Sequence, residues 1–104
     1  MQKRILQIQR RVEKIKQLLL NIGEMRPGSL TMQYQKPKEK KGGFYQISYT
    51  YKMRSKTEYV RPEFVKDLKD QVAQFKKFKK LMQEWIDLAI EHSQLKMKIA
   101  KGKR

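Results

Sequence analysis

Apolar residues recur at Ile5, Ile8, Val12, Ile15, Leu19 and Ile22, alternately three and four positions apart, which is a heptad seam along one helix face. Lys3, Arg10, Arg11 and Lys14 occupy the opposite face. Asn21, Gly23, Pro27 and Gly28 gather where the pattern ends, and Pro27 would both remove a donor from a continuing helix and clash with it. The seam predicts a helix over residues 1–25, stopping between Ile22 and Arg26.

The period then changes to two. Leu30, Met32 and Tyr34 alternate with Thr31, Gln33 and Gln35; after a Lys/Gly turn, Tyr45, Ile47, Tyr49, Tyr51 and Met53 alternate with Gln46, Ser48, Thr50 and Lys52. A third short run, residues 57–61, follows the polar link Arg54-Ser55-Lys56. The simplest topology is a three-stranded antiparallel β-meander over 28–61, with the long second strand in the middle.

Arg61-Pro62-Glu63 is a helix start, because proline fits the first turn and Glu63 and Asp67 suit the positive end of the dipole. No Gly or Pro interrupts the chain from there until Gly102, so a helix over 62–100 would reach roughly 55 Å, with a basic tail at 101–104. Its stripe changes along the way: Phe64, Val65, Leu68, Val72 and Phe75 suit a sheet, whereas Phe78, Leu81, Trp85, Leu88, Leu95 and Ile99, with His92, form a seam for another helix. The expected fold is a single α+β domain: an N-terminal helix, the meander, and a long C-terminal helix packed antiparallel on the first. Met82, Ile86, Ala89 and Ile90 widen the stripe beyond what one partner needs, which suggests self-association.

Charge changes the picture more than length does. The 104 residues carry 26 Lys+Arg against 10 Asp+Glu, a formal net charge of +16. Seven basic residues stand against two acids in 1–27, eight against two in 28–61 and eleven against six in 62–104, so the whole fold carries positive potential. The absence of cysteine excludes disulfides, thiolate metal sites and cysteine nucleophiles, and a single His argues against protein-held zinc. Apolar runs such as Leu18-Leu19-Leu20 are far too short for a membrane span of about 20 residues, and the basic N-terminus leads into amphipathic spacing rather than a signal-peptide core. The composition reads as a soluble, cytoplasmic protein without membrane or cofactor.

Lys36, Lys38, Lys40 and Lys41 fall in the turn before Gly42-Gly43, while Lys52, near the end of the second strand, and Arg54, in the polar link after it, are further candidates. Such lysines reach phosphates, or simply keep a sheet end soluble. Gly42-Gly43 lacks the spacing of a phosphate-binding loop and serves the turn. Lys76, Lys77, Lys79 and Lys80 form the densest cluster on the second helix; like charges so close destabilise it, which favours a bound polyanion over a merely solvated face.

All five tyrosines lie in residues 34–59. Interleaved with cations they suggest base stacking, but alternation puts Tyr45, Tyr49 and Tyr51 on the face of Ile47, where a covering helix would make them core; Tyr34 and Tyr59 are weaker stacking candidates. Glu84, Asp87 and Glu91 lie one helical turn apart and could approach Mg²⁺, though on a Lys-rich helix such acids balance charge. No general acid–base constellation is visible, so the expectation is a non-enzyme.

Met25-Arg26-Pro27-Gly28-Ser29-Leu30, Gln33-Tyr34, Gly43-Phe44-Tyr45-Gln46-Ile47-Ser48 and Tyr59-Val60-Arg61-Pro62-Glu63 resemble an uncharacterised family of small basic prokaryotic proteins often found in mobile-element settings. The resemblance covers about residues 25–95 and implies the same helix, sheet and helix order, without an activity to transfer. Members place cysteines in the loop after the Gln-Tyr pair, resembling a small metal-binding knuckle; here Lys36-Pro37-Lys38-Glu39-Lys40-Lys41 stands instead, so that site is lost. The expected function is a non-catalytic nucleic-acid-binding accessory protein gripping the RNA or DNA backbone. The alternative is an assembly module whose helical hairpin self-associates or docks on a larger protein, through Leu81, Trp85, Leu88 and Leu95.

Overall fold

A computed structural model describes residues 2–36 and 38–102, without the side chain of Lys41. The elements follow in the order helix α1 (Gln2–Leu20), strands β1 (Ser29–Lys36), β2 (Lys41–Tyr51) and β3 (Arg54–Val60), a 3₁₀ turn (Pro62–Phe64) and helix α2 (Val65–Gly102). The expected α+β architecture is thus present. Contacts gather the chain into two compact units, one of α1 with α2 from Lys77 onward and one spanning residues 23–76.

In the helical unit the heptad seam does what its spacing dictates. Ile8 and Ile15 are buried on α1 and Leu81 on α2, while Ile5, Val12 and Leu19 are half-buried. Arg4 pairs with Glu91 and Arg11 with Glu84, each through two nitrogens, so a seven-residue step up one helix matches a seven-residue step down the other. That is an antiparallel pair in heptad register. Helix α1 ends at Leu20, earlier than its seam predicted, because the Asn21 and Ile22 amides turn back to the carbonyls of Leu18 and Leu19 in 3₁₀ fashion (both 3.2 Å).

The other unit is an antiparallel sheet in the order β1-β2-β3. Ile47 of β2, Val60 of β3 and Val72 of α2 form its buried core, with Leu30, Tyr45, Val65 and Leu68 packed around them. Gly28 is required at the entry to β1. Its φ of +142° suits glycine, and a Cβ there would lie 2.8 Å from Cγ1 of Ile47 and 3.1 Å from the Ser48 carbonyl. The preceding segment is anchored by the Arg26 amide donating to the Gln71 carbonyl (3.1 Å) and the Gly23 amide donating to Oε1 of Gln74 (3.2 Å).

Four expectations are corrected. Gly42 and Gly43 belong to β2 rather than to the turn, which includes residues 38–40. A Cβ on Gly43 would meet Sδ of Met32 at 3.1 Å, and Gly42 has φ +67°. The second turn is Lys52-Met53, both with positive φ (51° and 65°), whereas Arg54-Ser55-Lys56 is strand. Two positive φ values in a two-residue loop are the geometry of a type I′ hairpin, which matches strand twist but normally recruits Asn-Gly. Met53 is therefore 97% exposed at the tip instead of paired in β2. Phe64, expected on the sheet-covering stripe, lies in the 3₁₀ turn before α2 and is 51% exposed.

Candidate nucleic-acid interface

Period-two alternation gives the sheet two chemically different faces. On the Ile47 face stand Leu30, Met32, Tyr34 and Lys36 of β1, Tyr45, Tyr49 and Tyr51 of β2, and Arg54, Lys56, Glu58 and Val60 of β3. Helix α2 covers only the part around Ile47 and Val60. Burial consequently fades toward the β2–β3 turn: Tyr45 and Tyr49 are half-buried, and Tyr51 is 54% exposed. The expectation that the strand-two tyrosines are core fails for Tyr51, because the hairpin continues past the residues that cover Tyr45.

Each of these tyrosines has a cation over its ring. Lys69 Nζ stands 5.2 Å from the Tyr45 centroid, Arg26 Cζ 4.9 Å from Tyr49, and Lys52 and Lys56 Nζ 5.4 and 5.9 Å from Tyr51. These distances fit attraction to the ring quadrupole. Arg26 also contacts Oε2 of Glu58 (2.9 Å), to whose Oε1 the Tyr49 hydroxyl donates (2.7 Å). The Arg26 bond, followed by the Tyr49 bond, holds the Glu58 carboxyl below the usual carboxylate range, and the same carboxylate raises the Tyr49 phenol. Arg26 and Lys69 were not anticipated as partners of the tyrosines; both come from outside the sheet, so alternation carries no signal for them.

The second face is open. β1 contributes Thr31, Gln33 and Gln35, β2 contributes Phe44, Gln46, Ser48 and Thr50, and β3 contributes Ser55, Thr57 and Tyr59; none of these is charged. Ser48 and Thr57 hydroxyls share a hydrogen bond (3.3 Å), and Gln33 donates to Thr31 (3.2 Å). Phe44 and Tyr59 are tilted neighbours with centroids 6.1 Å apart, and Tyr59 is 62% exposed.

The anticipated basic residues divide into groups. Lys36, Lys38 and Lys40 are exposed at the β1–β2 end, with Lys40 in a left-handed conformation (φ 51°). Lys41 stands opposite Lys36 in the register, and its side chain lies outside those described. Lys52 and Arg54 are exposed at the other end of β2. The two ends are separated by the length of an eleven-residue strand, roughly 36 Å. Lys76, exposed on α2, borders a cleft of about 480 Å³ with Ser29, Leu30, Lys69, Val72 and Ala73. Lys77, Lys79 and Lys80, also exposed, belong to the helical unit, as do Lys96, Lys98 and Lys101. Lys103 and Arg104 lie outside the described residues.

The acids considered for Mg²⁺ are otherwise engaged. Glu84 and Glu91 bind Arg11 and Arg4, whose hydrogen bonds lower both carboxyls, and Asp87 accepts from Gln83 (3.0 Å). Among the described residues no three His, Cys, Asp or Glu side chains gather to hold a metal ion, and no helix is long and apolar enough to cross a membrane. His92 lines a groove of about 310 Å³ with Trp85, Gln9, Glu13 and Lys16, and its buried Nε2 has no hydrogen-bond partner among the described residues. Comparison with protein-family profiles, curated proteins and solved structures found no match.

Proposed function

We propose that the protein is a non-catalytic nucleic-acid-binding accessory protein acting in the cytoplasm, holding phosphates through exposed cations at the ends of its sheet and on α2. The observation that carries this reading is the exposure of Lys38 and Lys40 at one end of β2 and Lys52 and Arg54 at the other, in a chain of net charge +16. Phosphate contacts of this kind position a nucleic acid without reading its sequence. An association with mobile elements belongs to the same proposal and rests on the resemblance of the Met25-Arg26-Pro27-Gly28-Ser29-Leu30 string. If about six phosphates are engaged, log K falls with log salt at a slope of about −5 on duplex DNA. Anisotropy titration of labelled RNA and DNA across salt tests this, repeated with Lys38→Glu and Lys40→Glu together. Absent or salt-insensitive binding removes the reading, and unchanged affinity in the double variant clears the loop.

A second reading is favoured by the apolar stripe of α2. Leu81 is buried and Trp85, Leu88 and Leu95 are half-buried in the helical unit, which leaves little of them for docking. Met82, Ile86, Ile90 and Met97 are instead 41–62% exposed and repeat at helical spacing on another side of α2. In this reading the protein assembles through them with itself or a larger protein. Sedimentation at high salt, with Ile86→Asp as the disruptive variant, tests it: a monomer under all conditions removes self-assembly.

A further inference from the structure

The open sheet face has a composition that ordinary solvation does not account for. More than a third of the chain is charged, and solvated sheet faces commonly carry Lys or Glu to keep edges apart. Yet Lys36, Arg54, Lys56 and Glu58 all alternate onto the Ile47 face, and the opposite face presents only amides, hydroxyls and the Phe44–Tyr59 pair. That surface is neutral and able to hydrogen-bond. It lies between the two cationic ends of the sheet.

A second copy of the chain is a poor occupant. Stacked sheets interdigitate apolar side chains, and this face offers two rings among Thr, Ser and Gln; the lysines at its ends would also oppose those of the copy. A duplex fits little better, since its bases are already stacked inside and its phosphates would meet an uncharged surface. A single strand matches both parts, because unstacked bases find rings and hydrogen-bonding groups while the backbone reaches cations.

We infer that the face bearing Phe44, Gln46 and Tyr59 is the seat of a single strand of nucleic acid, its bases against the two rings and its phosphates toward the basic turns. This rests on the nucleic-acid reading and adds what that reading leaves open, single-stranded over double-stranded partners. The rings that stack are then those on the unlocked face, since Tyr45, Tyr49 and Tyr51 are already occupied by Lys69, Arg26 and the Lys52/Lys56 pair.

The test compares labelled RNA and DNA strands of about twelve nucleotides with their duplexes, using the full chain and the variants Tyr59→Leu and Tyr59→Phe. Tyr59→Leu is expected to weaken single-strand binding about tenfold while leaving duplex affinity and the salt slope unchanged, because stacking is not ionic. Tyr59→Phe keeps the ring and retains affinity. Thr57→Glu, exposed on the same face, places a negative charge beneath the strand and is expected to weaken single strands selectively, giving a second readout should Tyr59→Leu disturb the fold by circular dichroism. A loss on either RNA or DNA supports the inference, and the more affected arm names the sugar. Equal loss for strand and duplex, no loss in either variant, or wild-type preference for duplex overturns it. Salt-dependent binding that both variants leave untouched sinks this inference alone; no binding by wild type sinks the underlying reading with it.

Discussion

The two faces of the sheet share three strands and one register, yet they solve opposite problems. On the Ile47 face Glu58 is held by Arg26 and Tyr49, and cations stand over Tyr45, Tyr49 and Tyr51. The other face carries no charge to answer and leaves Tyr59 mostly in solvent. An aromatic ring therefore does different work according to the parity of its position. Counting tyrosines across residues 34–59 misses this, because neighbours in sequence lie on opposite faces.

The largest expected effect breaks the closed face at its centre. Ile47 is fully buried between Val60 and Val72, so Ile47→Ala should cost about 2–5 kcal/mol in urea denaturation, through lost transfer energy and the cavity left behind. Thr57→Ala, on the open face and exposed, should stay within roughly 0.5 kcal/mol. Comparable losses at the two positions would mean the faces are not distinct in packing. Gly28→Ala follows in size: its Cβ would press on Cγ1 of Ile47 at 2.8 Å, which should cost roughly 1–3 kcal/mol, and combining it with Ile47→Ala, which removes that carbon, should give less than the sum of the two.

How far the sequence reveals this fold depends on whether a feature is periodic or local. The heptad spacing of Ile8, Val12 and Ile15 and the alternation through Ile47 are periodic, and each survives a misplaced boundary, so the helix, sheet and helix order was readable. The Arg4–Glu91 and Arg11–Glu84 pairs follow from the same seam once the helices are antiparallel. Turn chemistry is local, and there the usual signals mislead. Gly42-Gly43 offers the residues a hairpin turn prefers but sits inside β2, where Gly43 faces Met32, while Lys52-Met53 makes the type I′ turn without either preferred residue. The neutral face was visible as Thr31, Gln33, Gln46, Ser48 and Thr50 in alternation. Its meaning was not, because its freedom from charge stands out only when the charged strand residues are seen to alternate onto the other face.

That turn supplies the next smaller effect. Met53→Gly removes the steric cost of a left-handed side chain that makes no use of burial, offset by the entropy glycine adds to the unfolded chain, so a net gain of about 0.5–1 kcal/mol is expected. The measurement is the urea midpoint at unchanged m-value. A loss of stability would show that the Met53 side chain holds a contact, and would place the tip with the closed face.

The smallest effect, and the one that separates the faces most cleanly, is in acid. Glu58 lies on the closed face directly across from Ile47, and its bonds to Arg26 and Tyr49 lower its pKa from the reference of 4.5. Between that reference and the lower folded value the unfolded chain binds more protons than the folded one, so stability rises with pH across this window. Glu58 therefore contributes fully above about pH 4.5 and loses its contribution as pH falls through the folded pKa. Because the Glu58 carboxylate is about half exposed the gain is modest. Glu58→Gln should lower the thermal midpoint at pH 6, with the gap to wild type closing as the buffer is taken toward pH 3. Glu84 and Glu91, lowered by Arg11 and Arg4, keep the same sign of acid dependence in both proteins, so the variant should retain part of the slope. A gap that stays constant from pH 6 to pH 3 would mean that Glu58 acts through packing rather than charge, and the closed face would then owe its order to Ile47 alone.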